Sequence, residues 1–154
     1  MTEREGVSVA SQQAPVFEDL EVGAELPALT KRPTTVQLFR YSAVTWNAHR
    51  IHYDQEYAAV EGYPGVLVHS HLHGAFLTQL CSDWMGLQGK LRDLELSVQR
   101  FAVAGETLTC RGRIVDLERE DGRGLVTVKL EEVNEEGEVC APGRAVIELP
   151  LTEQ

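Results

Sequence analysis

All five histidines of the chain lie between positions 49 and 73. Histidine is the side chain whose unperturbed pKa lies nearest neutrality, so it is the usual proton-transfer group and a common metal ligand. For any single histidine, a core or surface position without chemistry is an equally good interpretation. The clustering of all of them indicates a functional site in this stretch. The members are His49, His52, His69, His71 and His73.

The first part of the cluster combines an amide with two imidazoles, because Asn47, His49 and His52 lie within six residues. His52 could act as a general base or acid near neutral pH, as proton transfer at the carbon next to a thioester carbonyl requires. The Asn47 amide can orient a water or a hydroxyl group but cannot usefully exchange a proton. Ordinary turn and capping roles stay open for Asn47 and for Ser70.

The second part of the cluster lies where a long apolar helix is predicted to begin. The first turn of a helix has backbone N–H groups without intrahelical partners, and these can polarise a carbonyl oxygen. The amides of Ser70 and His71 are therefore candidates for an oxyanion site. A base on one element and an oxyanion site on another are the minimum for enolate chemistry.

A metal site is the less favoured interpretation of the second part. His69, His71 and His73 would face one way on a strand, but on a helix only His69 and His73 share a face. No carboxylate follows them before Asp83, whereas metal sites need several convergent ligands. We therefore predict no metal, and a metal-dependent enzyme using these three histidines remains an alternative.

The elements that would position these residues follow from periodicity and capping signals. The first predicted helix carries an apolar face of Val36, Phe39 and Ala43. The third is the most apolar and is expected to be central and buried on all sides. The predicted helices are 36–46, capped by Thr34 or Thr35; 55–60, capped by Asp54; and 70 to about 86.

Strands are predicted on both sides of these helices. A first strand covers 25–32, and four long strands follow the central helix at 91–102, 107–118, 124–134 and 139–149. Glycine-containing polar loops separate the last three strands, as antiparallel hairpins require. The predicted fold is α+β, with a curved antiparallel sheet wrapped around one apolar helix.

Composition sets the class of protein. The 154 residues carry a net charge of −10, which argues against nucleic acid and anionic membranes as main partners. No apolar run is long enough to span a bilayer, and the N-terminus lacks the layout of a signal peptide. Three scattered cysteines fit a reducing, cytoplasmic setting. We expect a flexible tail over 1–15 and a single domain over 16–150.

Two stretches carry a family resemblance: F-R-Y-S-A-V-T-W-N-A-H-R-I-H-Y-D at 39–54 and G-Y-P-G-V-L-V-H-S-H-L at 62–72. The chain resembles the MaoC-like hydratases and dehydratases, a hotdog-fold family acting on 3-hydroxyacyl and enoyl thioesters. It is most similar to the branch containing hydroxyacyl-thioester dehydratase type 2 and mesaconyl-CoA-type hydratases. The broader family's motif is G-D-x-N-P-(I/L)-H. Its catalytic His falls on His52, but its Asp falls on Asn47.

The resemblance implies a hydro-lyase that interconverts a 3-hydroxyacyl thioester and its 2-enoyl thioester. It implies His52 as the catalytic group, with Asn47 and His49 assisting. A family His-Gly pair falls on His69 and Ser70, which implies that the Ser70 amide holds the thioester oxygen. His69, His71 and Tyr53 are candidates for substrate binding.

The same resemblance implies no resident cofactor, because coenzyme A or phosphopantetheine comes with the substrate. It implies a homodimer with the pocket between subunits, and an acyl carrier protein is a possible partner. Because Asn47 stands in place of the acid, a non-catalytic acyl-thioester-binding protein is the main alternative. Candidates for contacting carrier phosphates are Arg92, Arg100, Arg111 and Arg113, although a solvated strand face is the favoured explanation for most of them.

Overall fold

The computed structural model describes residues 14–152, and the predicted tail over 1–15 lies almost wholly outside them. The helices are α1 (Thr35–Val44), α2 (Gln55–Val60) and α3 (Ser70–Met85). The strands are β1 (Leu29–Lys31), β2 (Lys90–Leu96), β3 (Leu108–Glu120), β4 (Arg123–Val133) and β5 (Val139–Pro150). Two single 3₁₀ turns, Phe17–Asp19 and Arg50–His52, complete the regular structure of the described residues.

The strands form one antiparallel sheet in the order β1-β3-β4-β5-β2. The β3–β4 connection is a two-residue hairpin in which Asp121 (φ 48°) and Gly122 (φ 76°) both adopt left-handed conformations. That geometry matches the twist of the flanking strands, and the sequence Asp-Gly favours it. The three predicted C-terminal strands are confirmed to within two residues at each end.

Helix α3 packs against all five strands and forms the centre of the core. Its inner face buries apolar side chains, among them Leu72, Phe76 and Leu80. The opposite face is open, because Ser70, His71 and Ala75 are exposed. The prediction that the helix is buried on all sides is therefore wrong for the single chain, since one curled sheet covers only one side of it.

Helix α1 begins as predicted, with the Thr34 side chain accepting a hydrogen bond from the Gln37 amide. Its predicted inward face is wrong. Val36 and Phe39 are 63% and 58% exposed, whereas Leu38 and Ser42 are buried. The polar Ser42 occupies an inward position because it has a buried hydrogen-bond partner, and apolar periodicity cannot register such a position.

Strands β1 and β2 are shorter than predicted. Only an isolated bridge at Glu25 precedes β1, and Pro27, which lacks an N–H, lies between them. Regular pairing of β2 ends at Leu96, although the amides of Ser97 and Gln99 still donate to β5, at 3.1 and 2.9 Å. The backbone reaches a different partner only at residues 102–104. The Val68 amide donates to Ala102 O at 2.8 Å, and the Ala104 amide donates to Val66 O at 3.0 Å. Residues 102–104 thus hold the segment that leads into α3.

Candidate active site

The segment between α1 and α2 reverses direction and returns toward the sheet. Trp46 adopts a left-handed conformation (φ 56°), and the Asn47 amide then donates to Ser42 O at 2.9 Å. The Arg50–His52 turn follows, with the His49 ring accepting from the Ile51 amide at 3.3 Å. Asp54 caps α2 by accepting from the Tyr57 amide at 3.0 Å, as predicted.

This segment is joined to the one that enters α3. The Leu67 amide donates to Ile51 O at 2.9 Å, and His52 Nδ1 lies 2.8 Å from Leu67 O. The reciprocal contacts bring the two parts of the histidine cluster together, as the sequence predicted. They also fix His52 relative to the first turn of α3.

The hydrogen bond to Leu67 determines which nitrogen of His52 carries the proton. A carbonyl oxygen can only accept, so Nδ1 carries the hydrogen and Nε2 keeps its lone pair. Burial lowers the pKa of His52; the Leu67 carbonyl partly offsets this, and nearby His49 lowers the pKa a little further. His52 is therefore neutral at pH 7, with Nε2 available to take a proton.

His69 lies directly against His52. The two imidazole rings stack with their centroids 3.8 Å apart and an interplanar angle of 15°. His69 is 1% exposed, and its Nε2 lies 2.7 Å from the Ser42 hydroxyl oxygen. Burial, and then the neighbouring histidines, lower the pKa of His69 to about 4. His69 is thus a neutral buried ring stacked on His52, and its burial argues against the predicted role in substrate binding.

Asn47 and Tyr53 line a cleft of about 300 Å³ whose lining also includes Ser42, the hydrogen-bond partner of His69. The Asn47 side-chain oxygen accepts from the His49 amide at 3.2 Å, and its NH₂ group has no hydrogen-bond partner within the described part of the chain. The Tyr53 hydroxyl donates to Ala48 O at 2.9 Å, and its ring meets Phe39 edge-on. His49 is exposed, with its ring centroid 6.0 Å from that of His52.

Ser70 and His71 are the first two residues of α3. The amides of Leu72 and His73 both donate to His69 O, at 2.9 and 3.1 Å. Those of Ser70 and His71 have no acceptor among residues 14–152, as expected for the first turn of a helix. Two N–H groups are therefore available where the oxyanion site is predicted.

His73 extends the polar contacts into the core. Its Nδ1 bonds Glu132 Oε1 on β4, and both side chains are fully buried. The second Glu132 oxygen lies 3.8 Å from the Cys110 sulfur. Sequence reasoning missed Glu132 because its partner lies 59 positions away.

The histidines do not converge on a metal. His71 is exposed to solvent, while His69 and His73 are engaged by Ser42 and Glu132. Within the described part of the chain, no three His, Cys, Asp or Glu side chains are placed to hold a metal ion. The structure therefore gives no support to the metal-dependent alternative.

Three of the four arginines considered for carrier phosphates lie on strands, Arg100 lies in the connection between β2 and β3, and most have acidic partners. Arg92 contacts Glu148 at 2.7 Å, and Arg113 contacts Glu25 at 2.6 Å. Arg100 contacts Glu138 at 3.1 Å. Arg111 lines a groove of about 290 Å³ together with Lys129. For the paired arginines, surface ion pairs are sufficient explanation.

A family model described as hydroxyacyl-thioester dehydratase type 2 matches residues 10–101. This range includes α1, the His52 turn and α3, and it exceeds half of the chain. The chain belongs to the hydroxyacyl-thioester dehydratase type 2 family. Family membership agrees with the resemblance found in the sequence, which is thereby confirmed.

A curated relative is the mesaconyl-C(4)-CoA hydratase of Chloroflexus aurantiacus, 59% identical over 44 residues. That stretch covers 28% of this chain and only 16% of the relative.

No helix in the described residues has both the length and the apolar character needed to cross a membrane.

Two solved structures show the fold. R-hydratase PhaJ1 from Pseudomonas aeruginosa is 22% identical, with a TM-score of 0.78 over 88% of this chain and 86% of that one. A MaoC-like dehydratase from Rhodospirillum rubrum is 19% identical, with a TM-score of 0.78 over 92% of this chain and 100% of that one. The predicted hotdog architecture is confirmed.

Proposed function

We propose that this member of the family is a hydro-lyase that interconverts a 3-hydroxyacyl thioester and its 2-enoyl thioester. The observation that carries the proposal is His52, a buried neutral imidazole whose Leu67 contact leaves Nε2 free as a base. The family match and the mesaconyl-C(4)-CoA hydratase relative support the same reaction class.

In the hydration direction, the water oxygen forms a bond to C3 while His52 Nε2 takes one of its protons. The π electrons of the C2=C3 bond move toward the thioester carbonyl, whose oxygen gains negative charge. The amides of Ser70 and His71 stabilise that charge as it develops. The His52 imidazolium then returns a proton to C2, so a single base serves both transfers and every proton is accounted for.

Other candidate residues have positioning roles. The free NH₂ group of Asn47 orients the water or the 3-hydroxyl group, since an amide cannot replace the acid of the broader family motif as a proton donor. The His49 amide donates a hydrogen bond to the Asn47 side chain, and the His49 ring lowers the pKa of His52 slightly. Tyr53 forms part of the cleft wall that receives the acyl group.

The reaction needs no resident cofactor, because the thioester itself supplies the electron sink. Its carrier, coenzyme A or the phosphopantetheine of an acyl carrier protein, arrives with the substrate. We infer a cytoplasmic setting, which the three free, buried cysteines support.

We also propose that the chain forms a homodimer. Strand β2 is an edge of the sheet, and beside it lies a shallow concavity of about 690 Å³ between β2 and α3. Its lining includes Ala75, Leu94 and Leu96, and an open apolar surface next to an unpaired strand edge favours association. Ser70 and His71 border this concavity, so a second subunit would close it over the proposed oxyanion site.

The test is direct. Purified protein is mixed with crotonyl-CoA or with a branched dicarboxylic enoyl-CoA, and loss of the ultraviolet enoyl-thioester absorbance is followed. Hydration of either substrate supports the proposal. Binding of the thioesters without turnover by folded protein would favour the non-catalytic alternative, which the Asn47 substitution makes chemically reasonable.

A further inference from the structure

The hydroxyl group of Ser42 occupies a position that no proposed role yet uses. Ser42 lies on the inner face of α1 and is 6% exposed, but it lines the same 300 Å³ cleft as Asn47 and Tyr53. Its oxygen is 2.7 Å from His69 Nε2. Because His69 stacks on His52, one imidazole ring separates this hydroxyl from the proposed base.

The direction of the Ser42–His69 hydrogen bond follows from burial. His69 is neutral at pH 7, so only one of its ring nitrogens carries hydrogen. Nδ1 is buried and has no partner within residues 14–152. Buried N–H groups without an acceptor are rarer than buried acceptors without a donor. The hydrogen therefore lies on Nε2, and His69 donates to the Ser42 oxygen.

Ser42 thus keeps its own hydroxyl proton for another acceptor. Hydroxyl groups in helices commonly donate to the carbonyl four residues earlier, as Thr45 does to Tyr41 O at 2.6 Å. Ser42 makes no such bond to Leu38 O in the described structure, and His69 is its one side-chain partner there. The available direction for the Ser42 hydroxyl is the cleft.

We propose that Ser42 binds the 3-hydroxyl group of the substrate as a hydrogen-bond donor, with His69 as the positioning residue that holds Ser42. This inference rests on the proposed function. In the dehydration direction the contact stabilises the departing hydroxyl, and in the hydration direction it holds the attacking water. Together with the Asn47 amide, Ser42 offsets part of what is lost through the missing acid. No covalent step is involved.

The experiment compares two ligands that differ only in the hydroxyl group, 3-hydroxybutyryl-CoA and butyryl-CoA. Their affinities are measured by calorimetry in a His52→Ala background, which removes the proposed base and so prevents turnover. The variants are Ser42→Ala, Ser42→Thr and His69→Phe; the last keeps a flat ring against position 52 but removes the N–H. Thr45→Ala is the matched control, because it removes a hydroxyl group from the C-cap of the same helix, where that hydroxyl is bonded to the backbone.

Ser42→Ala and His69→Phe are each expected to weaken binding of 3-hydroxybutyryl-CoA by about tenfold while leaving butyryl-CoA unchanged, since one neutral hydrogen bond is lost. Ser42→Thr should retain the preference for the hydroxylated ligand, and Thr45→Ala should leave both affinities unchanged. An equal preference in Ser42→Ala and its parent would overturn the assignment, as would an equal loss for both ligands.

Turnover of crotonyl-CoA by the wild-type chain, measured in parallel, separates the two levels of inference. Turnover combined with an unchanged ligand preference in Ser42→Ala would reject the role of Ser42 and leave the hydro-lyase proposal standing. Absence of both turnover and any preference for the hydroxylated ligand would reject the hydro-lyase proposal, and the Ser42 assignment with it.

Discussion

The buried pair of His73 and Glu132 allows a sharp prediction about stability. Both side chains are fully buried and bonded to each other between α3 and β4. Removing one partner of a buried ion pair is strongly destabilising, whereas replacing both by apolar residues of similar volume is often neutral. The pair therefore predicts a large difference between single and double substitutions.

The two single substitutions should also differ. With His73→Leu, the buried carboxyl group of Glu132 loses its main hydrogen-bond partner. Breaking a buried pair by removing one partner costs about 3–5 kcal/mol. With Glu132→Leu, the imidazole of His73 is left as an unsatisfied polar group, which costs about 1–3 kcal/mol. We expect His73→Leu to be the more destabilising change.

Urea unfolding at pH 7, followed by circular dichroism at one fixed protein concentration, measures these effects. His73→Leu should lower the free energy of unfolding by about 4 kcal/mol, Glu132→Leu by about 2 kcal/mol, and the double variant by about 1 kcal/mol or less. Additive losses in the double variant would show that the two side chains do not stabilise each other. The reasoning would equally be refuted if both single changes cost less than about 0.5 kcal/mol.

Three further predictions concern pH and packing. Because burial lowers the pKa of His52, hydration activity should fall on the acid side only below the ordinary histidine pKa of about 6.5, as a pH profile of kcat would show. The pKa of His69 in the folded protein, about 4, lies below its value in the unfolded chain. The protein therefore keeps its full stability above pH 6.5 and loses on the order of 3 kcal/mol of unfolding free energy as the pH falls toward 4. Urea unfolding at several pH values should show a weaker dependence of stability on pH in His69→Gln. A Cβ at Gly143 would lie 2.6 Å from Glu95 O, so Gly143→Ala should detach β2 from β5. Sedimentation experiments should then show a lower dimer fraction. An unchanged dimer fraction would contradict the proposed interface.

The large elements could be predicted because their signals are local. Thr34 and Asp54 cap their helices as the sequence indicates, and the Asp121-Gly122 hairpin follows from two adjacent residues. The end of β2 could not be predicted in the same way. Beyond Leu96 the backbone still bonds to β5, but irregularly, because the amides of Gln99 and Arg100 share Cys140 O. No local pattern encodes that irregularity.

The candidate site shows the same division. His52, Asn47 and Ser70 were predicted as site residues from residue type, spacing and resemblance, whereas Ser42 and Glu132 were not. Ser42 was missed because the inner face of α1 is marked by one leucine and one serine, while the exposed face carries Val36 and Phe39. The one available signal was the spacing, because Ser42 follows Leu38 by four residues and therefore lies on the same face of the helix.

The central claim is that His52 performs the proton transfers, and one comparison tests it most directly. Hydration of crotonyl-CoA is measured for wild type and His52→Ala, with the affinity for butyryl-CoA as the control for an intact site. Loss of a positioned general base should lower kcat by about 10²–10⁴-fold while butyryl-CoA binds as before. Full activity in His52→Ala would contradict the assignment of His52 even though the chain belongs to the family.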